Sequence, residues 1–144
     1  MREGCCTPEA GARDSVIREW VVKAENDLTN AAHTLRLGAD CPADTVAFHA
    51  QQCVEKYLKA LLVLEGISPP KSHDVPMLVG LLPEGLNLPL TPADQRRLTS
   101  YATVIRYPGD YEPVTLDEAR AAVRTARRVR KEVRGRLPAQ ALRR

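Results

Sequence analysis

The sequence predicts an all-α fold, an antiparallel bundle of about five helices, four long and one short. Its 144 residues suit one domain with a hydrophobic core. Apolar residues make up 44% of the chain, enough for their burial to offset the entropy lost on folding. Only 4% of the residues are aromatic, while Ala and Leu are plentiful, and this mix favours helices over a β-sandwich or barrel.

The first helix is indicated by apolar residues at helical spacing. It is predicted to begin near Asp14, after a flexible leader over residues 1–13, and to end before Gly38 and Pro42. The positions predicted to be buried are Val16, Trp20, Ala24, Leu28, Ala31 and Leu35.

The second helix is predicted from Ala43 to Glu65, with Gly66 as its C-terminal cap. Its predicted apolar face consists of Ala47, Ala50, Val54, Leu58 and Leu61. A polar stripe is predicted on the opposite side: His49, Gln52, Lys56 and Lys59. This stripe fits either a contact with a partner or phosphate, or an ordinary solvated face.

Two helices follow the linker ISPPKSHD. A short apolar one is predicted from Val75 to Leu82, with Asp74 or a neighbour as its cap. The next begins at Thr91-Pro92, which supplies a cap and a preset first turn, and runs to about Ile105.

The fifth helix follows a break at Pro108-Gly109 and begins at a capping box formed by Thr115 and Glu118. Its predicted core positions are Leu116, Ala119, Val123, Ala126 and Val133. Beside them lies a row of cations, here called the basic stripe: Arg120, Arg124, Arg127, Lys131 and Arg134. The domain is predicted to span residues 14–137, followed by a frayed basic tail over 138–144.

Charge is concentrated at the C-terminal end. Residues 120–144 contain ten Arg or Lys and one acid, although the whole chain carries a net charge of only +3, so the remainder is net acidic. A basic terminal helix on an acidic body can attract nucleic acid or an acidic protein partner. A merely solvated, Arg-rich helix face is the other interpretation.

No sequence feature predicts a metal site, a cofactor-binding site or a membrane-spanning segment. The four cysteines, among them Cys5 and Cys6, have no C-x-x-C spacing, so a zinc site is not expected. The first residues lack the apolar region of a secretory signal, and no apolar run approaches the ~18 residues needed to span a bilayer. A cytoplasmic protein with reduced thiols is the simplest interpretation.

The loop RYPGDYEPVT is the first candidate site. Arg106 can donate two hydrogen bonds to one anion, and Tyr107 and Tyr111 can stack on bases. In the alternative, structural interpretation, Arg106 pairs with Asp110 and the tyrosines pack between helices.

The second candidate is Lys71-Ser72-His73-Asp74. A histidine beside a carboxylate can act as a general base, but Ser and Asp are also preferred helix caps. Capping is the favoured interpretation. No nucleophile elbow, H-E-x-x-H or paired-carboxylate signature is present.

Three segments together resemble the HEPN domain family: FHAQQCVEKYLKALLVLEGI, PKSHDVPMLVGLL and YATVIRYPGDYEPVT. They occur in the family's order and spacing, and the likeness runs from about Trp20 to Val133. The resemblance implies a bundle of about five helices, a homodimer, and a partner that is a minimal nucleotidyltransferase, in a toxin–antitoxin-like pair. Many HEPN proteins are metal-independent ribonucleases, with an Arg followed four to six residues later by a His at the dimer interface.

This sequence departs from that ribonuclease motif. Arg106 matches the arginine, but Tyr111 stands at the spacing-four histidine position, and no His follows Arg106. Tyrosine, with an ordinary pKa near ~10, is a poor base at neutral pH. Loss of the histidine removes acid–base help worth roughly 10²–10⁴ in rate.

The sequence therefore predicts a nucleotide- or RNA-binding and protein-interaction module. Residues expected to contact ligand or partner are Arg106, Tyr107, Asp110, Tyr111, His49, Gln52 and Lys56. The alternative is a ribonuclease toxin with a non-standard site, for which the candidates are Arg106, Tyr111 and His73. A third hypothesis is a dimeric scaffold whose basic stripe docks an acidic partner.

Overall fold

Five α-helices make up most of the computed structural model, which describes residues 8–102, 109 and 112–143. The helices are α1 (Pro8–Leu35), α2 (Ala43–Leu64), α3 (Val75–Leu81), α4 (Pro92–Tyr101) and α5 (Leu116–Arg134). Two short 3₁₀ turns, Gly38–Asp40 and Ala139–Leu142, follow α1 and α5. The described residues form no strand, so the predicted all-α class with five helices is confirmed.

Helix α2 lies at the centre of the bundle, in contact with each of the other four helices. Side chains on all sides of it are withdrawn from water, including Val46, Val54, Tyr57, Leu58 and Leu61. The hydrophobic core therefore surrounds α2, and the other helices form layers around it.

Side-chain contacts fix the direction of α1 and α5. Residues later in α1 meet residues earlier in α2: Asp27 contacts His49, whereas Trp20 contacts Lys59. The two helices are therefore antiparallel, as short connections between helices favour. Helix α5 also runs antiparallel to α1, since Glu25 meets Arg130 and Arg18 meets the carbonyl of Gln140 farther along the chain.

Helix ends follow the predicted chemistry. Gly66 ends α2 in the left-handed region at φ +77°, and the amide of Ile67 donates to the carbonyl of Leu62 at 2.8 Å, a Schellman arrangement. Asp74 caps α3 by accepting from the amide of Met77 at 3.1 Å.

Capping boxes begin both α4 and α5. Thr91 and Asp94 exchange side-chain-to-backbone hydrogen bonds at the start of α4, and Thr115 and Glu118 do so at the start of α5. The predicted starts of both helices are confirmed.

The first helix begins earlier than predicted, and its core face differs from the prediction in its first two positions. Helix α1 starts at Pro8, because proline is tolerated in a first helical turn and Glu9, Ala10, Ala12 and Arg13 form helix well, although Gly11 does not. Val16 is 42% exposed rather than buried, whereas Ile17 and Val21 are buried. The buried face follows a 4-3-4-3 spacing from Ile17 to Ala31, so Ala24, Leu28 and Ala31 are buried as predicted, while Trp20 is half-buried beside this face.

The polar stripe on α2 is only partly exposed to solvent. Lys59 is only 6% exposed, and His49, Gln52 and Lys56 are half-buried. Its polar groups make hydrogen bonds to neighbouring side chains, so an ordinary solvated face does not describe the stripe, and contact with a partner or phosphate stays a prediction.

Two further predictions concern the C-terminal end of α4 and the C-terminal tail. Helix α4 is described to Tyr101, and the predicted continuation to Ile105 lies outside the described residues. The tail predicted to fray folds back over α1, with Leu137 and Ala141 buried against the core. Burial of these apolar side chains, and a hydrogen bond from Arg18 to the carbonyl of Gln140, hold it there.

Candidate functional site

Half of the loop singled out from the sequence lies outside the described residues. Arg106, Tyr107, Asp110 and Tyr111 all fall there, so their predicted role stays a prediction. The helices on either side of the loop contact each other, since the hydroxyl of Tyr101 donates to Glu118 at 3.1 Å.

Asp27 joins the predicted stripe on α2 to α1. One carboxylate oxygen lies 2.8 Å from Nδ1 of His49, and the other accepts a hydrogen bond from Lys56. Asp27 is buried, and its two partners are half-buried. Pairing offsets the cost of withdrawing these charges from water, so His49 and Lys56 join helices rather than extend freely outward.

Glu55 is the centre of a second cluster, on α2 itself. It is 3% exposed and accepts from Nζ of Lys59 at 3.0 Å and from Nε2 of Gln51 at 3.1 Å. Nδ1 of His73 lies 2.8 Å from Oε1, the same carboxylate oxygen that Gln51 contacts. Burial raises the pKa of Glu55, but hydrogen bonds from His73, Gln51 and Lys59 outweigh it and hold the pKa below the ordinary value.

The carboxylate that orients His73 is Glu55 and not the neighbouring Asp74. Asp74 caps α3, as the favoured interpretation holds, while its amide donates to the hydroxyl of Ser72. The imidazole of His73 is 62% exposed although its carboxylate partner is buried. This arrangement leaves one ring nitrogen free to meet solvent or a ligand, which is the geometry of an oriented acid or base.

A groove of about 590 Å³ runs between α1 and α2. Its lining residues are Val16, Glu19, Trp20, Lys23, Asn26, Asp27, Glu55, Lys56 and Lys59. Nζ of Lys59 lies 5.4 Å from the ring centroid of Trp20, a cation–π contact. The buried charges of this groove are already paired with one another, so they offer a ligand little unsatisfied charge.

A second groove, of about 610 Å³, lies between α1 and α5 and is strongly basic. This α1–α5 groove is lined by Glu25, Leu28, Thr29 and Ala32 from α1 and by Arg127, Arg130, Lys131 and Arg134 from α5. Arg127 and Lys131 are exposed, with no hydrogen-bond or ion-pair partner among the described residues. Four cations against one carboxylate make the groove suited to anions.

Glu25 connects three helices at the floor of this groove. Arg130 donates to its two oxygens at 2.7 and 3.0 Å, and the hydroxyl of Tyr57 also donates to it. Arg134 in turn lies 3.4 Å from the Tyr57 oxygen. Burial raises the pKa of Glu25, but the hydrogen bonds from Arg130 and Tyr57 and the charges of Arg130 and Arg134 bring it below the ordinary value.

The same contacts shift the pKa values of Tyr57 and Arg130, the two residues that donate to Glu25. Burial, together with the hydrogen bond to Glu25, raises the pKa of Tyr57, so its hydroxyl stays a donor. The hydrogen bond from Arg130 to Glu25 raises the pKa of Arg130. The pair is therefore ionised at neutral pH.

Only some residues of the basic stripe are free to contact a ligand. Arg124, Arg127 and Lys131 are exposed without a described partner, whereas Arg120 pairs with Asp117 at 3.4 Å and Arg134 reaches Tyr57. Sequence reasoning missed Arg130, although it lies three residues after Arg127 and four before Arg134, a spacing that places it beside the stripe. It also missed Glu25 and Tyr57, for which the sequence offers no local signal.

Other chemistry is limited in the part of the chain that the structure describes. No group of three or more His, Cys, Asp or Glu side chains there is arranged to hold a metal. Cys53 is buried, and that burial raises the pKa of its thiol, which disfavours the reactive thiolate. No described helix is both long and apolar enough to cross a bilayer.

Comparisons with known proteins place the chain among small helical domains. The sequence model of the HEPN domain matches residues 17–136. The crystal structure of TT1696 from Thermus thermophilus is similar, with 28% identity and a TM-score of 0.70 over 85% of this chain and 99% of that one. So is that of ST0689, an archaeal HEPN homologue, with 26% identity and a TM-score of 0.61 over 85% and 98%. The comparison with curated proteins finds no match.

Acid is expected to destabilise the fold through Glu25 and Glu55. Each has a folded pKa below the ordinary 4.5, so its contribution is present above that value and is lost as pH falls through the folded pKa. The free energy of unfolding, from urea titrations, should therefore fall as the pH drops below 4.5.

Two variants test the source of this pH dependence. Glu55→Gln should lower the stability at pH 7 by about 3 kcal/mol or more, because Lys59 loses its carboxylate, and should flatten the acid slope. Glu84→Gln, an exposed control in the loop after α3, should keep the wild-type slope. An unchanged slope in Glu55→Gln would contradict the assignment.

Proposed function

The chain belongs to the HEPN domain family, and we propose that it is a nucleotide- or RNA-binding and protein-interaction module. In this proposal it is one half of a cytoplasmic, toxin–antitoxin-like pair with a minimal nucleotidyltransferase. The observation that carries the binding role is the α1–α5 groove, where four cations converge and two of them have no described partner.

Phosphate is the anion that the groove fits best. Arginine presents a planar fork that matches two oxygens of one phosphate, and Arg127 is free to do so. Lys131 lies one helical turn farther on, about 6 Å away, close to the spacing of consecutive phosphates in an extended strand. The apolar lining is confined to Leu28 and Ala32, whereas protein-binding hot spots favour large buried anchors such as Trp and Tyr.

The partner and the homodimer rest on family membership. Resemblance to HEPN proteins implies both, and the predicted loop residues Arg106, Tyr107, Asp110 and Tyr111 are the proposed ligand and interface contacts. Within this proposal the exposed cations on α5 add a sequence-independent attraction for RNA.

Removing the two unpaired groove cations should weaken RNA binding. Arg127→Ala/Lys131→Ala should lower the affinity for a labelled single-stranded RNA roughly tenfold and reduce the slope of log K against log salt by about 1.4, for two lost phosphate contacts. Arg96→Ala/Lys71→Ala removes the same charge from exposed positions outside the groove and serves as the control. Fluorescence anisotropy at several salt concentrations measures both quantities, and equal losses in the two variants would contradict a specific groove.

The proposed pairing predicts that this chain forms a stable complex with a minimal nucleotidyltransferase. The tagged chain should co-purify with a minimal nucleotidyltransferase from the same organism when the two are expressed together, and alone it should have twice the mass of one chain by light scattering. Arg106→Ala should weaken the complex if the loop forms the interface. A monomer that retains no nucleotidyltransferase would contradict the proposed pair.

A ribonuclease is a second candidate, favoured by the geometry of His73. Its exposed imidazole is bonded to the buried carboxylate of Glu55, which can orient it for proton transfer in place of the missing motif histidine. Arg106 would then stabilise negative charge on the phosphate undergoing cleavage.

This candidate predicts RNA cleavage in the presence of EDTA. His73→Ala and Arg106→Ala should each abolish it, because one removes the proton-transfer group and the other the charge stabilisation. His33→Ala, which removes an exposed histidine on α1, should have no effect. No cleavage by the wild type would reject the ribonuclease and leave the binding module.

A further inference from the structure

The α1–α5 groove contains more cations than it offers to a ligand. Arg130 is held by two hydrogen bonds to Glu25, and Arg134 reaches the hydroxyl of Tyr57. We propose that Glu25 is a specificity-determining residue of this groove, because it keeps Arg130 out of reach of phosphate and leaves Arg127 and Lys131 as the cations that bind. This inference rests on the proposed binding function and names how the groove selects its ligand.

The contacts of Glu25 make it a strong competitor for Arg130. The guanidinium meets both carboxylate oxygens, the bidentate geometry that gives the strongest pairing between these groups. Tyr57 adds a third donor, and its raised pKa keeps the hydroxyl protonated. Glu25 is half-buried, so a phosphate that displaced it would leave a carboxylate without its cation in a partly dry site.

The two remaining cations favour a chain of phosphates over a single one. Arg127 and Lys131 lie about 6 Å apart along α5, so each is placed for a different phosphate of an extended strand. A lone phosphate reaches one of them and gains little over water. A strand gains from both, and exposed Arg124, one further turn along α5, extends the row.

The groove contacts the sugar–phosphate backbone of such a strand rather than its bases. Its described lining contains no Trp, Tyr, Phe or His on which a base could stack. Base recognition in single strands depends mainly on stacking and on contacts to base edges. Single-stranded RNA of any sequence is thus the ligand, held by phosphate contacts and sensitive to salt.

Neutralising Glu25 tests the inference directly. Glu25→Gln should release Arg130, tighten binding of a labelled 12-nucleotide oligouridylate on the order of fivefold to tenfold, and steepen the salt slope by about 0.7. In Glu25→Gln/Arg130→Gln the released cation is gone and the net charge equals that of the wild type. This double variant should bind within about twofold of the wild type, since Arg130 contributes nothing there. Circular dichroism melts establish that each variant is folded, and Glu84→Gln is the matched control for loss of one acid.

Each outcome decides the inference. No gain in folded Glu25→Gln, a gain equal to that of Glu84→Gln, or a large loss in the double variant would overturn it, the last because Arg130 would then bind RNA in the wild type. If Glu25→Gln does not fold, the double variant, which leaves no unpaired charge, still decides. An acidic, Glu-rich peptide that competes as well as the oligouridylate would overturn the choice of RNA.

The outcomes also separate this inference from the proposed function. If wild type binds RNA through Arg127 and Lys131 but Glu25→Gln gains nothing, only the inference fails. If wild type does not bind and Glu25→Gln does, Glu25 restricts the groove but the natural binding role is wrong. If neither binds, both fail.

Discussion

The fold depends on neutralising charge on a helix that is enclosed on all sides. Helix α2 carries Glu55 and Lys59 into the interior, and an unpaired ion there would cost several kcal/mol. Part of the compensation is local, since Lys59 lies one turn from Glu55, but the contact with His73 comes from the linker after α2. That contact, with a hydrogen bond from Gln51 to the carbonyl of His73, ties the linker to α2, and the amide of Val75, at the start of α3, donates to Thr99 of α4.

The cluster of Glu25, Arg130 and Tyr57 lies beneath the basic α1–α5 groove and affects which cations are exposed there. Arg130 lies beside the buried face of α5, which contains Ala126, Val129 and Val133, and from there it meets Glu25. Arg127 and Lys131, three residues before and one after it, are then carried to the rim of the groove at helical spacing. The contact that joins α5 to α1 thus also leaves Arg127 and Lys131 as the exposed cations of the groove, so the proposed binding would depend on the same residue, Glu25, that joins the helices.

Local signals in the sequence predicted where the helices start and end better than they predicted the contacts between helices. Proline, glycine and the T-x-x-E box set the helix starts and ends through backbone geometry, which needs no knowledge of neighbours. The start of the α1 face was wrong by one position because valine at 16 and isoleucine at 17 are both apolar, and tertiary packing decides between them; Ala24, Leu28 and Ala31 are buried as predicted. The sequence left open whether the α2 stripe is solvated or paired, because a polar residue looks the same in a sequence whether water or a buried carboxylate satisfies it. Glu25 lies 105 residues from Arg130 in the chain, so no spacing rule connects them.

The placement of the two clusters bears on the choice between binding and cleavage. Glu55 and Tyr57 are two residues apart on α2, and a helix turns about 200° over that interval. The side chains therefore leave α2 on nearly opposite sides, Glu55 towards His73 and Tyr57 towards Glu25 and the basic groove. A strand held by Arg127 and Lys131 is not thereby brought to the imidazole of His73. For cleavage, the strand would have to wrap around the bundle or reach the imidazole of a second copy, whereas binding needs only the groove. This separation favours an RNA-binding module over a ribonuclease that acts within one chain.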